Sequence, residues 1–288
     1  MVQTIIDGIM IGGSSALVAV GFTLVFGVLR VMNVAHGDFA MLGVFTSVLV
    51  ASTLNLGTVA GTVAGIVVGG LAGIAVSLLV LRRLTNEQTL AVFIATLGLS
   101  FALQHLVARV AGPETRATDG LFATHFYHVG SASVSNAQLL MLVGTLVIAF
   151  ALMWAIGATS AGRDMRAVAE NAVLARVVGI NPTRVMALTM MVASAIAAIG
   201  GILVTNVTHT ASPFLGSDLS FKMFVVALVA GAGSLGGALI AAFGLGIIES
   251  VASAQLGSSW QQLTGLLVLI AVLMVRPQGL FGRAARVG

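Results

Sequence analysis

Residues 221–255 read FKMFVVALVAGAGSLGGALIAAFGLGIIESVASAQ, an apolar run of 35 residues that is interrupted by the glycine-rich stretch 231–237. One helical crossing of a bilayer takes roughly 20 apolar residues, so this run is too long for a single span. A broken backbone at membrane depth is tolerated only where it is buried in protein or lines a wet cavity. We therefore expect a hairpin or a re-entrant pair of helices with its break at 231–237.

The composition of the whole chain is that of an integral membrane protein. Of 288 residues, 58% are hydrophobic and 8% are charged, whereas a soluble domain has about 25% charged residues. The long apolar runs indicate helical spans and not the alternating segments of about 10 residues of an outer-membrane barrel. Two Trp, one Tyr and few basic residues exclude a nucleic-acid surface, and the lack of Cys excludes thiolate chemistry.

Arginine placement supports a topology of about eight hydrophobic spans. The predicted spans are 5–29, 37–54, 57–81, 89–109, 138–157, 185–206, 221–255 and 259–275. Arginines cluster at 82–83, at 163–184 and after the last span, and the positive-inside rule assigns all three segments to the cytoplasm. Their spacing requires that 221–255 enters and leaves the membrane on one side. This topology places the N-terminus and the loop 110–137 outside.

Five glycines recur every four residues in the third span. They are Gly57, Gly61, Gly65, Gly69 and Gly73. At 3.6 residues per turn they form one slowly drifting stripe, and small residues on such a stripe let another helix approach backbone to backbone. The stripe predicts tight helix packing, within a compact bundle or at a subunit contact, and no chemistry.

The sequence offers little that could support an enzyme. Its lysine, Lys222, follows no phosphate-binding glycine loop, and neither an HExxH pair nor a Gly-x-Ser-x-Gly motif occurs. We therefore expect no catalytic residue, no metal site, no cofactor site and no ATP hydrolysis in this chain.

Ionisable residues inside spans are the default candidates for a transport site. The neighbouring residues Gln104 and His105 lie well inside a span, and we interpret them as an internal hydrogen-bonding pair. His36, Asp38 and Glu249 lie nearer to predicted span ends, where a loop or a snorkelling side chain suffices as an explanation. No carboxylate has a clear midplane position, so the driving force is expected to come from another subunit.

Residues 158–184 predict a short amphipathic helix over 163–179. The side chains of Met165, Val168, Ala172 and Ala175 share one face. Gly179 suits the position after a helix C-terminus, and Pro182 follows it as a stop. A cytoplasmic helix of this size lies on the membrane or docks on a partner, and its modest apolar face favours docking.

The segment 162–171, GRDMRAVAEN, resembles the cytoplasmic coupling segment of the permease subunits of branched-chain amino acid ABC importers, the LivH type within the LivH/LivM permease family. The N-terminal stretch 21–39, GFTLVFGVLRVMNVAHGDF, resembles the signature of the same family. Further matches follow in order at 95–100, at the glycine break and at 276–282, RPQGLFG. The resemblance therefore covers nearly the whole chain.

The resemblance implies an ABC importer permease bundle: an all-α integral membrane protein with broken or re-entrant helices, forming a single transmembrane domain over 1–288. Such a chain is a multi-pass protein of the bacterial plasma (inner) membrane and a transport subunit without its own ATPase motif. Its implied partners are a second related permease, two cytoplasmic ATP-binding subunits that hold ATP-Mg, and an extracytoplasmic solute-binding protein.

The resemblance also implies roles for individual residues. Those of the coupling segment (residues 158–184) that would dock on the ATPase are Arg163, Arg166, Glu170, Asn171, Ala175 and Gly179. Those that would lie at breaks facing the translocation path are Asn33, His36, Gly37, Thr96, Gly231, Gly233, Gly236 and Gly237. Other interpretations stay open: Asn33 and His36 as helix caps, the glycine break as a hinge or packing seam, and Thr96 bonded to its own helix.

The family's typical cargo is leucine, isoleucine and valine. Urea or short amides are the alternative within the same class, because a path with few charges fits them equally. An ion-coupled carrier that works without ATP is the alternative from another class, although it would have no need of a coupling segment.

Overall fold

The computed structural model describes residues 1–54, 56–84, 89–118, 120, 124–129, 132–231 and 233–282. Its helices are α1 (Val2–Leu29), α2 (His36–Ser52), α3 (Gly57–Val76), α4 (Arg82–Leu84), α5 (Thr89–Ala111), α6 (Asn136–Ala158), α7 (Ser160–Glu170), α8 (Ala172–Val177), α9 (Pro182–Thr208), α10 (Leu215–Ala230), α11 (Leu235–Leu256) and α12 (Trp260–Val275). A π-helical turn, Ser77–Leu81, joins α3 to α4. Short strands are β1 (Arg116–Ala117), β2 (Phe126–Val129), β3 (Ala132–Ser135) and β4 (Thr210–Ala211).

Six of the described helical stretches are long and apolar enough to cross a membrane. They are α1, the continuous stretch Gly57–Leu84, α5, α6, α9 and α11. The helices α2 and α12 are shorter apolar helices, and α10 has 16 residues. The expected class, a helical membrane bundle with broken spans, is confirmed.

Three arginines that lie far apart in the sequence meet at one end of the bundle. Arg30, Arg82 and Arg176 line one cavity of about 460 Å³ between the ends of α1 and α3 and the start of α9. We call this the basic end. The opposite end, which we call the loop end, carries the connection between α5 and α6 and the C-terminus of α9. The positive-inside rule assigns the basic end to the cytoplasm.

The long run 221–255 is broken as expected. Helix α10 ends at Ala230 and α11 begins at Leu235, while Gly231 and Gly233 have φ values of 96° and 85°, which favour glycine. The break is shorter than the expected 231–237, because Gly236 and Gly237 belong to the first turn of α11. There the Gly237 N–H donates to Oγ of Ser234 at 3.2 Å. Ala232 lies outside the described residues.

The C-terminal segment 276–282 satisfies the backbone at this break. The N–H of Leu280 donates to Val229 O at 2.9 Å, and the N–H of Phe281 donates to Ala230 O at 2.8 Å. These carbonyls are at the end of α10, where intrahelical donors run out. The contact places the break at the basic end, so α10 and α11 form a hairpin whose two arms both reach that end.

Helix α1 is the central element of the bundle and packs against α9, α10 and α11. A Cβ at Gly8 would lie 2.6 Å from Ile247 Cα, and one at Gly12 would lie 2.6 Å from Phe243 Cα. Gly246 of α11 faces the same two glycines from the other side. The two helices therefore touch backbone to backbone, a contact that the sequence analysis did not predict.

The glycine stripe of α3 packs within the bundle as predicted, with one exception. Gly61 and Gly65 lie against the backbone of α2, and Gly69 and Gly73 lie against Ala198 and Ser194 of α9. Gly57 has no neighbour among the described residues within 4 Å of its Cβ position and has a φ of 82°, so it does not pack within the bundle, and a subunit contact at this position stays a prediction. Gly57 begins the helix in a conformation that glycine adopts readily.

Two small antiparallel pairs of strands lie at the loop end, and the sequence analysis did not predict them. Strands β2 and β3 form a hairpin. Strand β1 pairs with β4, with Arg116 opposite Ala211 and Ala117 opposite Thr210. This second pairing ties the connection between α5 and α6 to the C-terminal end of α9.

We expect Gly65→Leu to destabilise the bundle, because its side chain would be driven into the Gly43 carbonyl and Ile202. Overpacking of this kind costs about 1–3 kcal/mol or more. The matched control is Gly98→Leu, since Gly98 has no neighbour within 4 Å of its Cβ position. The thermal unfolding of both variants in detergent measures the effect. Equal Tm values for the two variants would contradict the assigned packing of α3.

Candidate functional site: a buried polar cluster and the coupling segment

A cluster of polar side chains surrounds the start of α2 inside the bundle. Asn33, His36 and Asp38 have no exposed surface, and Thr96 of α5 is equally buried. Helix α2 begins only at His36, so the chain turns back within the bundle between α1 and α2. The interpretation of His36 and Asp38 as loop or snorkelling residues is therefore wrong, because nearness to a span end in sequence does not bring them to the membrane surface.

Asp38 is held by an amide from α5. Nε2 of Gln104 donates to Asp38 Oδ1 at 2.9 Å, and Oε1 of Gln104 accepts from the Ser217 hydroxyl of α10 at 2.9 Å. The same Nε2 donates to Ser100 Oγ at 2.9 Å. Gln104 thus joins α2, α5 and α10 through one side chain.

The interpretation of Gln104 and His105 as a hydrogen-bonded pair is wrong. His105 is exposed on the other face of α5, and its Nδ1 lies 2.8 Å from Phe101 O of its own helix. Neighbouring residues on a helix point about 100° apart, so a buried partner for Gln104 had to come from another helix.

Thr96 joins α5 to the turn before α2. Its hydroxyl donates to Val92 O of its own helix at 2.9 Å, as the local interpretation expected, and its oxygen also accepts the N–H of Val34 at 3.1 Å. The Val34 carbonyl in turn accepts from the Ser220 hydroxyl of α10 at 2.9 Å. The turn is therefore fixed by side chains of two other helices.

The capping role considered for Asn33 and His36 is wrong. No side chain caps α2, and Asn33 Oδ1 accepts instead from the N–H of Ala35 at 3.2 Å within the turn. The His36 ring packs edge-on against Phe22 and Phe39, with centroid separations of 6.1 and 5.8 Å. Gly37 fits because a Cβ there would lie 2.7 Å from Ser220 N.

Several buried polar atoms of this cluster have no partner among the described residues. They are Nδ2 of Asn33, both ring nitrogens of His36, and Oδ2 of Asp38. A buried donor or acceptor without a partner lowers the stability of the closed packing seen here. These atoms gain hydrogen-bonding partners if the helices separate or if a polar solute or water enters. The cluster can therefore form hydrogen bonds with a solute or act at a hinge. It has no arrangement of nucleophile and base.

The glycine break divides into a packing seam and a cavity wall. Gly231 and Gly237 lie against the C-terminal segment, and Gly236 has only Met153 Sδ near its Cβ position, at 3.8 Å. Gly233 instead lines a cavity of about 530 Å³ that opens at the basic end, together with Thr23, Arg30 and Arg166. Oγ1 of Thr23 is buried and has no partner in the described part of the chain.

The coupling segment forms two short helices and not the single helix that was predicted. Helix α7 ends at Glu170, Asn171 is extended with a φ of −157°, and α8 begins at Ala172. The break has a local cause, because Asn171 Oδ1 accepts the N–H groups of Val173 and Leu174 at 2.9 and 3.0 Å. Asn171 is therefore the N-cap of α8.

The amphipathic face of this segment is only partly as predicted. Met165, Val168 and Ala175 are buried, but Ala172 is exposed because the break at Asn171 turns α8 away from the face of α7. The prediction for Gly179 is confirmed: it has a φ of 87° after the end of α8, and its N–H donates to Arg176 O at 3.1 Å. The guanidinium of Arg166 donates to Ile156 O at the end of α6.

Helix α8 carries an apolar surface that the sequence analysis did not identify. Four large aliphatic side chains on and just after it are between 63% and 80% exposed: Val173, Leu174, Val177 and Val178. They lie at the basic end, where Val173 also lines the cavity of about 460 Å³. We call this group the α8 patch. Its signal in the sequence was the Asn171 cap, which shifts these residues out of the amphipathic period of α7.

The described residues contain one ion pair within the bundle. Nζ of Lys222 on α10 lies 3.6 Å from Oε2 of Glu249 on α11. No group of three or more His, Cys, Asp or Glu residues in the described ranges could hold a metal ion. The pair joins the two arms of the hairpin.

Comparisons with known proteins agree with this architecture. The family described as "branched-chain amino acid transport system / permease component" matches residues 4–275. The chain is 32% identical to the high-affinity branched-chain amino acid transport system permease protein LivH of Escherichia coli K12, with 98% of this chain and 95% of the relative covered. It is 29% identical to the permease protein BraD of Pseudomonas aeruginosa, which belongs to a system of the same description, over the same shares.

A solved structure shares the fold. A chain of PsaBC from Streptococcus pneumoniae, determined in complex with Fab, superposes with a TM-score of 0.50 at 13% identity. The match covers 96% of this chain and 91% of that one. At this identity the likeness concerns the fold alone.

We expect Gln104→Leu to lower the stability of the bundle, because it removes the amide that joins Asp38 to α5 and α10. Loss of a partner for a buried polar group costs about 1–3 kcal/mol, and more for a charged one. His105→Leu is the matched control, since it removes an exposed side chain at the next position. Thermal unfolding in detergent compares the two. A Gln104→Leu protein as stable as the control would show that the cluster contributes nothing to packing.

Proposed function

The chain belongs to the family of permease components of branched-chain amino acid transport systems, and we propose that it forms half of the translocation path of an ATP-driven importer for leucine, isoleucine and valine. It is a multi-pass protein of the bacterial inner membrane and a transport subunit, not an enzyme. The proposal extends to its assembly with a second related permease, two ATPase subunits that bind ATP-Mg, and an extracytoplasmic solute-binding protein.

The α8 patch is the observation that carries the ATPase part of the proposal. Large aliphatic side chains exposed together at a helix end are typical of a surface that another protein covers. The polar side of α7 carries Arg163, Asp164, Arg166 and Glu170, with equal numbers of acidic and basic groups. A helix that binds a membrane surface is instead rich in Lys and Arg on its polar side. The combination favours a protein partner for the coupling segment.

The cavities support alternating access as the transport mechanism. The cavity lined by Gly233 and Arg30 opens at the basic end, and another of about 290 Å³ opens at the loop end. The two cavities share no lining residue, so a solute cannot pass from one to the other without a rearrangement or a surface of a second chain. We propose that ATP-driven movement at α7 and α8 opens the cavity of about 530 Å³ that Gly233 lines, since Arg166 of α7 lines the same cavity.

The path and hinge residues remain part of this proposal. Asn33, His36, Gly37 and Thr96 would act at a hinge. The unpaired side-chain atoms of Asn33 and His36 are closed off in the packed state and gain partners when α2, α5 and α10 separate. Gly37 and Thr96 lie at the contacts of α2 with α10 and of the preceding turn with α5, which such a movement would change. Among the glycines, Gly233 is the one we assign to the path, since it lines the cavity. We assign Gly231, Gly236 and Gly237 to the hinge, since Gly231 and Gly237 lie against the C-terminal segment and Gly236 is the neighbour of Gly237 in the first turn of α11.

The transport proposal is tested with the four kinds of subunit reconstituted in proteoliposomes. We expect uptake of leucine, isoleucine and valine to require ATP and the solute-binding protein, and to continue after an ionophore has collapsed the ion gradients. Uptake of urea or a short amide in place of these amino acids would favour the alternative cargo. Uptake that stops with the ion gradient while ATP remains would favour an ion-coupled carrier.

We expect Val177→Asp to separate the ATPase subunits from the permease, because a carboxylate in the centre of the α8 patch cannot be buried against an apolar partner surface without a large cost. Co-purification in mild detergent, together with ATP-dependent uptake, measures the loss. Leu56→Asp is the matched control: it adds the same charge at an exposed aliphatic residue of the loop end. Full retention of the ATPase subunits by Val177→Asp would remove the patch from the coupling interface.

A further inference from the structure

The cavity at the loop end has the shape and composition of a small-molecule site. It has a volume of about 290 Å³, close to the lower limit of typical ligand pockets. Val44 and Val48 of α2 and Ile202 of α9 form apolar parts of its wall. Arg116 lines it beside several hydroxyl groups. We call it the outer cavity.

The position of Arg116 is fixed by backbone pairing. Strand β1 pairs with β4, and beyond it the N–H of Thr118 donates to His209 O at 3.0 Å. These bonds hold residues 116–118 over the C-terminal end of α9, although the two segments are about 90 residues apart in sequence. The guanidinium of Arg116 forms no ion pair with any described residue.

Two hydroxyl groups of the outer cavity lack a hydrogen-bonding partner. Oγ1 of Thr118 and Oγ1 of Thr205 are buried and make no hydrogen bond within the described chain. Thr205 is only 7% exposed. A helical threonine usually donates to the carbonyl four residues earlier, as Thr208 does to Val204 O at 3.2 Å. Thr205 does not, although it is buried in the same helix.

We propose that the outer cavity binds a free aliphatic α-amino acid on its way into the translocation path. The proposal rests on the proposed function, and it adds a binding site on this chain to one on the solute-binding protein. The guanidinium of Arg116 would bind the carboxylate, a pairing that is stronger than a neutral hydrogen bond. The hydroxyl oxygens of Thr118 and Thr205 would accept from the ammonium group.

The apolar wall supplies the remaining selectivity. Val44, Val48 and Ile202 would contact a branched aliphatic side chain and offer a polar one no partner. The described residues that line the cavity include no Asp or Glu, so a second positive charge on the solute would be unpaired. The site therefore favours leucine, isoleucine and valine over lysine, and it favours all three over an amide such as urea, which has no carboxylate.

The test is equilibrium binding of radiolabelled leucine to the complete transporter in nanodiscs, without the solute-binding protein. We expect saturable binding to the native complex. Arg116→Gln should weaken it by about tenfold or more, the value of one charge-assisted hydrogen bond. Thr205→Val, which keeps the shape of the side chain, should weaken it several-fold. 4-Methylpentanoate, which lacks the ammonium group, should compete more weakly than leucine.

Two matched variants control for changes outside the cavity. Arg109→Gln removes an exposed arginine of α5 at the loop end, and Thr208→Val removes an exposed hydroxyl one turn beyond Thr205. Both should bind leucine as the native complex does. An unchanged Tm for Arg116→Gln and Thr205→Val establishes that any loss of binding does not arise from unfolding.

The outcomes separate this site from the transport proposal. Native-like leucine affinity in both cavity variants, or no saturable binding to a native complex that takes up leucine, overturns the site and leaves the proposed function intact. Absence of ATP-dependent uptake of branched-chain amino acids by the native complex with its binding protein overturns the proposed function instead. Competition by 4-methylpentanoate equal to that of leucine overturns the assignment of an amino acid, since the ammonium group would then contribute nothing.

Discussion

Backbone contact between α1 and α11 holds the centre of this bundle together, and it depends on glycine. In a bilayer, lipid tails are as apolar as leucine, so helices associate through close packing and hydrogen bonds and not through exclusion of water. Gly8 and Gly12 of α1 meet Gly246 of α11 with no room for a side chain between them. The cavity of about 530 Å³ at the basic end is lined by residues of α1 and by Leu235 of α11, so its shape depends on this contact.

The broken backbone of the α10–α11 hairpin is stabilised by hydrogen bonds from the C-terminal segment. A helix end inside an apolar environment needs partners for its free carbonyls. The last carbonyls of α10 find them in the N–H groups of Leu280 and Phe281. The C-terminal segment is thus part of the hairpin, and a movement of the break must also move this segment.

Polar groups inside the bundle fall into two kinds with different consequences. Gln104 is paired through both ends of its amide and fixes the relation of α2, α5 and α10. The His36 ring and the free oxygen of Asp38 lack described partners, so the packed state leaves hydrogen-bonding capacity unused there. Hydrogen-bonded and unpaired polar groups thus lie side by side in the bundle. This arrangement suits a protein with a second conformation, because the unpaired groups favour any state that supplies them with hydrogen-bonding partners or water.

The membrane class, the break in 221–255 and the packing stripe of α3 could be predicted from the sequence, because apolar length, arginine placement and glycine period are local properties of the chain. The family motifs are likewise short contiguous stretches, so they could be recognised in the sequence alone. Which polar groups are buried depends on how the helices pack, since the partner of Gln104 is Asp38 from another helix and not the adjacent His105. The same holds for Arg116, which a two-residue strand pairing brings to the cavity that Thr205 also lines. Contacts between segments far apart in the chain leave no periodic signal, and a single Asn171 cap was enough to divide a helix that periodicity alone had predicted as one.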